Sequence, residues 1–141
     1  MGYGVAWGTA LGGTQTFAEG YKKLWQEGKE RVYPLSVVMG MNNATAAHIS
    51  IQLGLGNSSL TYTVACASAA HAIGEAYTKI KLGQAQLMIA GGSDTPLSYG
   101  VVRAWDAMRV LAPGNEQTAF SACKPFDVDR KGFVLGEGAA A

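Results

Sequence analysis

A β–α–β pattern in residues 60–92 constrains the fold more than any other part of the chain. Leu60–Val64 is rich in β-branched and aromatic residues, which predicts a strand ending at the small residues 65–68. A helix follows, because the apolar positions between Ala69 and Ile80 recur at helical spacing. Leu87–Ala90 then predicts a fully buried strand. This order of elements is typical of an α/β fold.

The helix in this pattern has an apolar stripe composed mostly of alanine. Small side chains allow close approach of neighbouring elements, so we expect a buried central helix rather than a surface one. Periodicity also predicts elements on either side of the unit, namely a strand at Gly4–Gly8, a helix from Phe17 to Trp25, a helix from Met41 to Ile51, a helix at Val101–Leu111 and a short strand at Phe133–Leu135.

Composition narrows the class of protein. The chain has 141 residues, a length usual for one domain, and 48% of them are hydrophobic, which is enough for a core. The net charge is +1 and only 15% of residues are charged, so neither nucleic acid nor a membrane surface is an expected partner. No apolar run approaches the roughly 20 residues that span a bilayer. We therefore expect a cytoplasmic protein.

Cys66 is the candidate nucleophile. It lies where a strand meets a helix, a junction that exposes a reactive atom, aims backbone N–H groups at it and favours an anion through the helix dipole. The alternative is that Cys66 simply fills a small apolar site, as many free cysteines do. The histidines, His48 and His71, are expected to be structural, and His71 should project away from the thiol. These residues do not encode a complete Cys–His centre.

Metal and nucleotide sites are not expected, and no cofactor is predicted. The glycine loop at residues 8–13 lacks the spacing of dinucleotide- or phosphate-binding loops. A calcium loop beginning at Asp127 fails because Lys131 and Gly138 occupy positions that require oxygen ligands. The acidic residues near Asp127 are expected to hold a turn and to pair with Arg130 or Lys131.

Two separated stretches resemble one enzyme family. They are Thr63–His71, with the sequence TVACASAAH, and Pro125–Gly138, with the sequence PFDVDRKGFVLGEG. Ile89–Gly92 lies between them and Gly8-Thr9 lies ahead of them, in the order expected for elongating β-ketoacyl-acyl carrier protein synthases. The resemblance covers essentially the whole chain.

The resemblance implies a thiolase-like fold with α-β-α-β-α layers, built from two related halves and working as a homodimer. Residues 1–141 would be a partial N-terminal domain that supplies most of the first half. Cys66 would accept an acyl group from acyl carrier protein, and malonyl-carrier protein would lose carbon dioxide and extend the chain by two carbons. Counting from Gly91-Gly92, Trp105 would stand beside the acyl pocket. The pathway would be fatty acid or polyketide synthesis.

The resemblance also implies what this chain lacks, since the family's two catalytic histidines and its lysine lie in the second half. We expect a fragment that does not condense substrates alone and that aggregates through exposed apolar faces. The alternatives are a thiolase or chain-initiating synthase that uses coenzyme A thioesters, a carrier-protein-binding module, and a non-catalytic thiolase-like partner subunit. Retention of Cys66 argues against the non-catalytic subunit, in which this cysteine is typically replaced.

Overall fold

The computed structural model describes residues 2–141. Its internal contacts form two compact units, of which the larger contains the residues up to Thr95 together with Glu137–Ala141, and the smaller is Pro96–Gly136. In the described part of the chain, no helix combines the length and apolar character that a bilayer crossing requires.

The larger unit is a mixed sheet with helices. Along the chain it contains β1 (Tyr3–Gly8), α1 (Thr14–Trp25), α2 (Ser36–Gly40), α3 (Ala44–Leu53), β2 (Ser59–Tyr62), α4 (Ser68–Lys81), β3 (Leu87–Asp94) and β4 (Gly138–Ala140). The strand order is β2-β1-β3-β4. β1 pairs in parallel with both β2 and β3, and β4 runs antiparallel to β3. The predicted α/β class is confirmed.

The central strand β1 divides two apolar clusters. Val5 and Trp7 pack with Ala46 of α3 on one side of the sheet. Ala6, between them in sequence, packs with Ala72 and Ala76 of α4 on the other side. Because successive strand residues point to opposite faces, one short strand supplies both clusters, and the sheet is covered by α3 on one face and α4 on the other.

Glycines allow the first turn of α4 to lie against the sheet. A Cβ atom built on Gly8 would collide with the main chain of Ser68 and Ala69. A Cβ on Gly92 would lie 2.6 Å from the Cβ of Ala69. The ends of β1 and β3 therefore need residues without side chains where α4 begins, and this contact fixes the residues just before the helix.

The helix α4 covers the predicted residues, and its alanine stripe packs as expected. The prediction that it is buried as a central helix is wrong for the described chain, because only one face is covered. Ile73 and Tyr77 are 54% and 62% exposed. In the same way, Leu87 at the start of β3 is 47% exposed, so this strand is not fully buried.

Two segments of the larger unit escaped prediction. α2 has only five residues, with the sequence SVVMG, and its valines and glycine are poor helix formers. β4 contains Gly138, Ala139 and Ala140, which have little strand propensity. β4 forms because Gly91 of β3 leaves room for it, since a Cβ there would collide with the carbonyl oxygen of Ala140.

The smaller unit contains α5 (Tyr99–Ala107) and a short 3₁₀ helix (Ala119–Ser121). The predicted strand at Phe133–Leu135 is wrong, since only an isolated bridge joins Phe133 to Leu111. Two bonds hold it, from Phe133 N–H to the Val110 carbonyl at 3.1 Å and from Ala112 N–H to the Phe133 carbonyl at 2.9 Å. The pairing does not extend beyond this bridge into a ladder.

We expect Gly8→Ala to destabilise the larger unit by about 1–3 kcal/mol, because the methyl group would force the main chain of Ser68 away from β1. Gly74→Ala is the matched control. Gly74 lies within α4 with no atom near its Cβ position, so alanine should stabilise the helix by about 0.5–1 kcal/mol. Urea unfolding followed by circular dichroism measures both changes. Equal stability of the two variants would contradict the close contact at Gly8.

The exposed apolar side of α4 should make the chain self-associate. We expect the apparent mass from light scattering to rise with protein concentration. Replacing exposed Ile73 and Ile80 by lysine should suppress the rise without unfolding the protein, since 54% and 44% of these side chains already face solvent. A monomer at every concentration before substitution would show that this face does not drive association.

Candidate active site at the β2–α4 turn

Cys66 lies in the turn between β2 and α4, and it is exposed. Two consecutive main-chain hydrogen bonds close the turn. Ala67 N–H donates to the Val64 carbonyl at 3.0 Å, and Ser68 N–H donates to the Ala65 carbonyl at 3.1 Å. The predicted junction of strand, sharp turn and helix is therefore present, and it turns Cys66 outward. The alternative reading of Cys66 as a buried apolar filler does not fit this exposure.

The residue before Cys66 has an unusual backbone conformation. Ala65 has φ +47°, in the left-handed region that residues with a Cβ seldom adopt. This conformation costs about 1–2 kcal/mol relative to the right-handed one. Strain of this kind persists only where surrounding contacts hold it, and it is concentrated at functional sites. The turn that presents Cys66 is thus held against a local preference.

The hydroxyl of Ser68 supplies contacts that hold the turn. Ser68 is the first residue of α4 and only 3% exposed. Its Oγ accepts a hydrogen bond from Val64 N–H at 2.8 Å and donates one to the Ala65 carbonyl at 2.6 Å. One buried hydroxyl therefore joins the start of the helix to the two residues before Cys66.

Further contacts attach the turn to its surroundings. The side-chain amide of Asn42 donates to the hydroxyl of Thr63 at 3.3 Å. On the other side, α4 starts directly after Cys66 and Ala67, so its unpaired N–H groups and dipole make this end attractive to anions. The turn thus places a thiol near an electropositive helix end.

The histidines do not join Cys66 in this turn. His71 lies in α4 and is exposed, with its ring centroid 6.1 Å from that of Tyr62. His48 lies on α3 and is also exposed, so neither histidine is packed in a buried niche.

Burial raises the pKa of the Tyr62 phenol above its ordinary value, and the negative charge of Glu75 raises it further. The Tyr62 phenol therefore stays protonated to a higher pH than an ordinary tyrosine.

A cavity of about 480 Å³ lies at the carboxyl ends of β1 and β3. Asp94 organises its wall by accepting hydrogen bonds from the Thr9 hydroxyl and from the N–H groups of Ala10 and Leu11, all at 3.0 Å. The Asp94 carboxylate therefore stabilises the loop after β1. Cys66 does not line this cavity.

The predicted substrate-binding residue Trp105 lies on α5 in the smaller unit and is partly buried. Its ring meets the edge of Phe133 at a centroid distance of 5.1 Å. This arrangement is favourable for an aromatic pair and fixes the ring orientation.

The second cysteine, Cys123, is exposed like Cys66, but it lies in the smaller unit. The predicted turn near Asp127 is present, since its carboxylate accepts from Asp129 N–H at 2.7 Å. Arg130 donates to the main-chain carbonyl of Asp127 at 2.9 Å instead of forming the expected ion pair.

Within residues 2–141, no three histidine, cysteine or acidic side chains cluster as metal ligands would.

Sequence reasoning missed two residues that organise these sites. Ser68 stands at the first position of a predicted helix, where serine commonly bonds to nearby main chain, so a local signal existed. Asp94 offered no comparable signal, because its partners lie 83 to 85 residues away in sequence. Only the pairing of β1 with β3 brings them together.

Comparison with known proteins identifies the family. Residues 2–141 match the family described as β-ketoacyl synthase, N-terminal domain. The chain is 44% identical to nodulation protein E of Rhizobium leguminosarum bv. trifolii over 137 residues, which are 97% of this chain and 32% of that protein. It is 35% identical to 3-oxoacyl-[acyl-carrier-protein] synthase 2 of Staphylococcus aureus over 136 residues, or 96% of this chain and 33% of the relative.

The fold agrees with the sequence match. A solved ketosynthase of a type II polyketide synthase, bound to the hexaketide and in complex with its acyl-carrier protein, aligns with a TM-score of 0.87 at 27% identity. The alignment covers 97% of this chain and 35% of that one. The chain thus spans about a third of the length of its relatives, and the expected thiolase-like fold is confirmed. By family and by fold, this chain belongs to the β-ketoacyl synthases, and it matches their N-terminal domain.

Proposed function

We propose that the protein acts as a 3-oxoacyl-[acyl-carrier-protein] synthase in which Cys66 carries the growing acyl chain. The observation that carries this proposal is the exposed thiol of Cys66 on a strained, hydrogen-bonded turn at the start of α4. Family membership supplies the class of reaction, an acyl transfer. The turn supplies a nucleophile held in a fixed direction, which such a transfer requires.

The first half-reaction is transfer of an acyl group to Cys66. The deprotonated sulfur attacks the carbonyl carbon of an acyl thioester, and negative charge develops on the carbonyl oxygen. The N–H of Cys66 is the donor that we propose for this oxyanion, within the electropositive field at the start of α4. The bond to the carrier sulfur then breaks, the carrier leaves as a thiol after gaining a proton, and the acyl group remains on Cys66.

The second half-reaction is a decarboxylative condensation. Malonyl-carrier protein loses carbon dioxide, and the resulting carbanion attacks the acyl-Cys66 thioester, giving a 3-oxoacyl chain and a free thiol. Enolate stabilisation needs donors beyond those of this turn, since neither His48 nor His71 belongs to it. We propose that the catalytic histidines and lysine lie outside residues 1–141, and that this chain alone accepts acyl groups without condensing them.

The proposed partner is an acyl carrier protein that delivers acyl and malonyl thioesters. A structural relative was solved in complex with its acyl-carrier protein, which supports this choice. We further propose a homodimer and a cytoplasmic location for the whole protein.

Acylation of Cys66 tests the proposed function directly. We expect the mass of the protein to increase by one acyl group after incubation with an acyl-carrier thioester, and peptide mapping to place the group on Cys66. Cys66→Ala should abolish the increase because the nucleophile is lost. Cys123→Ala is the matched control, since Cys123 is equally exposed and should not be needed.

Two comparisons in this assay distinguish the possible functions: the type of acyl donor, and the length of the protein. The assay should include both this chain and a longer form carrying the rest of the family's fold. No acylation of Cys66 in the longer form would exclude Cys66 as the acyl carrier. Transfer from coenzyme A thioesters but not from carrier thioesters would assign the protein to the chain-initiating or thiolase class instead.

We also propose that Trp105 contacts the acyl chain. Trp105→Ala should slow transfer of long acyl groups more than short ones, by about tenfold, because each methylene that loses an apolar contact costs up to about 0.8 kcal/mol. The measurement is the ratio of long-chain to short-chain transfer rates in the longer form. Trp105→Phe is the control, since it keeps a large aromatic ring at the same position and should keep most of the apolar contact. An unchanged ratio in the alanine variant would contradict a role in substrate binding.

A further inference from the structure

We propose that Ser68 is a positioning residue for Cys66, an inference that rests on the proposed function of Cys66 and deepens it. The side chain is not placed to contact substrate, because it is buried with its hydroxyl bonded on both sides. Its role is to set the conformation of the turn and thereby the direction of the Cys66 thiol and N–H.

The two hydrogen bonds of the Ser68 hydroxyl involve the strained residue Ala65 and its neighbour Val64. Ser68 Oγ donates to the carbonyl of Ala65, the residue with φ +47°. At 2.6 Å this is a short hydrogen bond, and Val64 N–H fills the acceptor side of the same oxygen at 2.8 Å. Removing the hydroxyl would leave Val64 N–H without this acceptor and release Ala65 toward its preferred conformation.

Ser68 can hold the turn because its own main chain is fixed. It forms the first residue of α4, and its main chain rests over Gly8 so closely that a Cβ on Gly8 would collide with it. Gly8 belongs to the central strand β1. One buried side chain therefore connects the two residues before Cys66 to a helix start that lies against the central strand.

A displaced nucleophile reacts slowly even when it is present and exposed. Misplacement by about 1 Å can cost a catalytic step roughly a hundredfold. The structure thus predicts that loss of the Ser68 hydroxyl lowers the maximal rate of acyl transfer to Cys66. The thioester concentration at half-maximal rate should change little, because Ser68 does not line the path of the substrate.

Ser36 provides a matched control within the same unit. It is also the first residue of a helix, α2, it is 8% exposed, and its hydroxyl donates to the carbonyl three residues earlier, that of Tyr33, at 2.7 Å. Ser36→Ala removes a comparable buried hydrogen bond at a place that does not touch the Cys66 turn. It therefore reports the effect of lost stability alone.

The experiment compares three variants, Ser68→Ala, Ser68→Thr and Ser36→Ala, with the unsubstituted protein. Each variant is made both in the 141-residue chain and in the longer form, and each is measured in two assays. The first assay measures the rate of acyl transfer from a short acyl-pantetheine thioester. The second measures alkylation of Cys66 by iodoacetamide relative to Cys123, and it does not depend on acyl chemistry. If Cys66 takes no acyl group from any donor, the proposed function fails, while the alkylation rates still decide the role of Ser68.

We expect Ser68→Ala to lower the maximal acyl-transfer rate by about ten- to a hundredfold and alkylation by at least about threefold. Ser68→Thr, which keeps the hydroxyl, and Ser36→Ala should stay within about twofold of the unsubstituted protein. The proposal is overturned if Ser68→Ala leaves both rates within about twofold, or if Ser36→Ala lowers them equally. Should Ser68→Ala not fold, a folded Ser68→Thr variant that reacts as slowly as predicted for alanine would also overturn it.

Discussion

The packing of the alanine face of α4 onto β1 is the contact on which the rest of this structure depends. Ala72 and Ala76 are almost completely buried against Ala6. Small side chains on the helix and Gly8 on the strand permit a short distance between helix and sheet, which larger residues would prevent. Because α4 begins where β1 ends, this distance also fixes the residues that connect β2 to the helix. The position of Cys66 follows from packing several residues away.

Close packing stabilises a strained turn at the proposed active site. The left-handed conformation of Ala65 opposes the preference of the chain by about 1–2 kcal/mol. Two main-chain hydrogen bonds and the buried Ser68 hydroxyl offset that cost in a segment that would otherwise relax. The result is a small, exposed thiol that does not depend on long flexible side chains for its placement. A nucleophile with little freedom loses little entropy when it enters the transition state.

The sequence predicts the parts of this structure that are encoded locally. The apolar spacing of α4, the β-branched character before Cys66 and the turn after it indicate a strand–turn–helix junction without knowledge of the rest of the chain. The helices that contain Phe17 and Ala46 are also encoded by their own periodicity. For the same reason, Cys66 could be named as the candidate nucleophile before its surroundings were known.

The features that escaped prediction depend on residues far apart in sequence. β4 has a poor strand sequence and forms because Gly91 leaves space beside β3. Phe133 has a good strand sequence but forms only an isolated bridge, to Leu111. Asp94 acquires its loop-holding bonds from residues near the start of the chain. Periodicity carries no information about such partners. The alanine stripe of α4 predicts a buried helix, but it does not show how many faces of the helix are covered, and only one face is covered in the structure.

We propose that the fold, and not the mere presence of a thiol, makes Cys66 the reactive group. The most direct test is the alkylation rate of Cys66 relative to Cys123, both exposed, measured in folded protein and again in urea. We expect Cys66 to react at least about tenfold faster than Cys123 in the folded protein, and the two rates to converge to within about twofold after unfolding. Equal rates in the folded protein, or a ratio that survives unfolding, would contradict it.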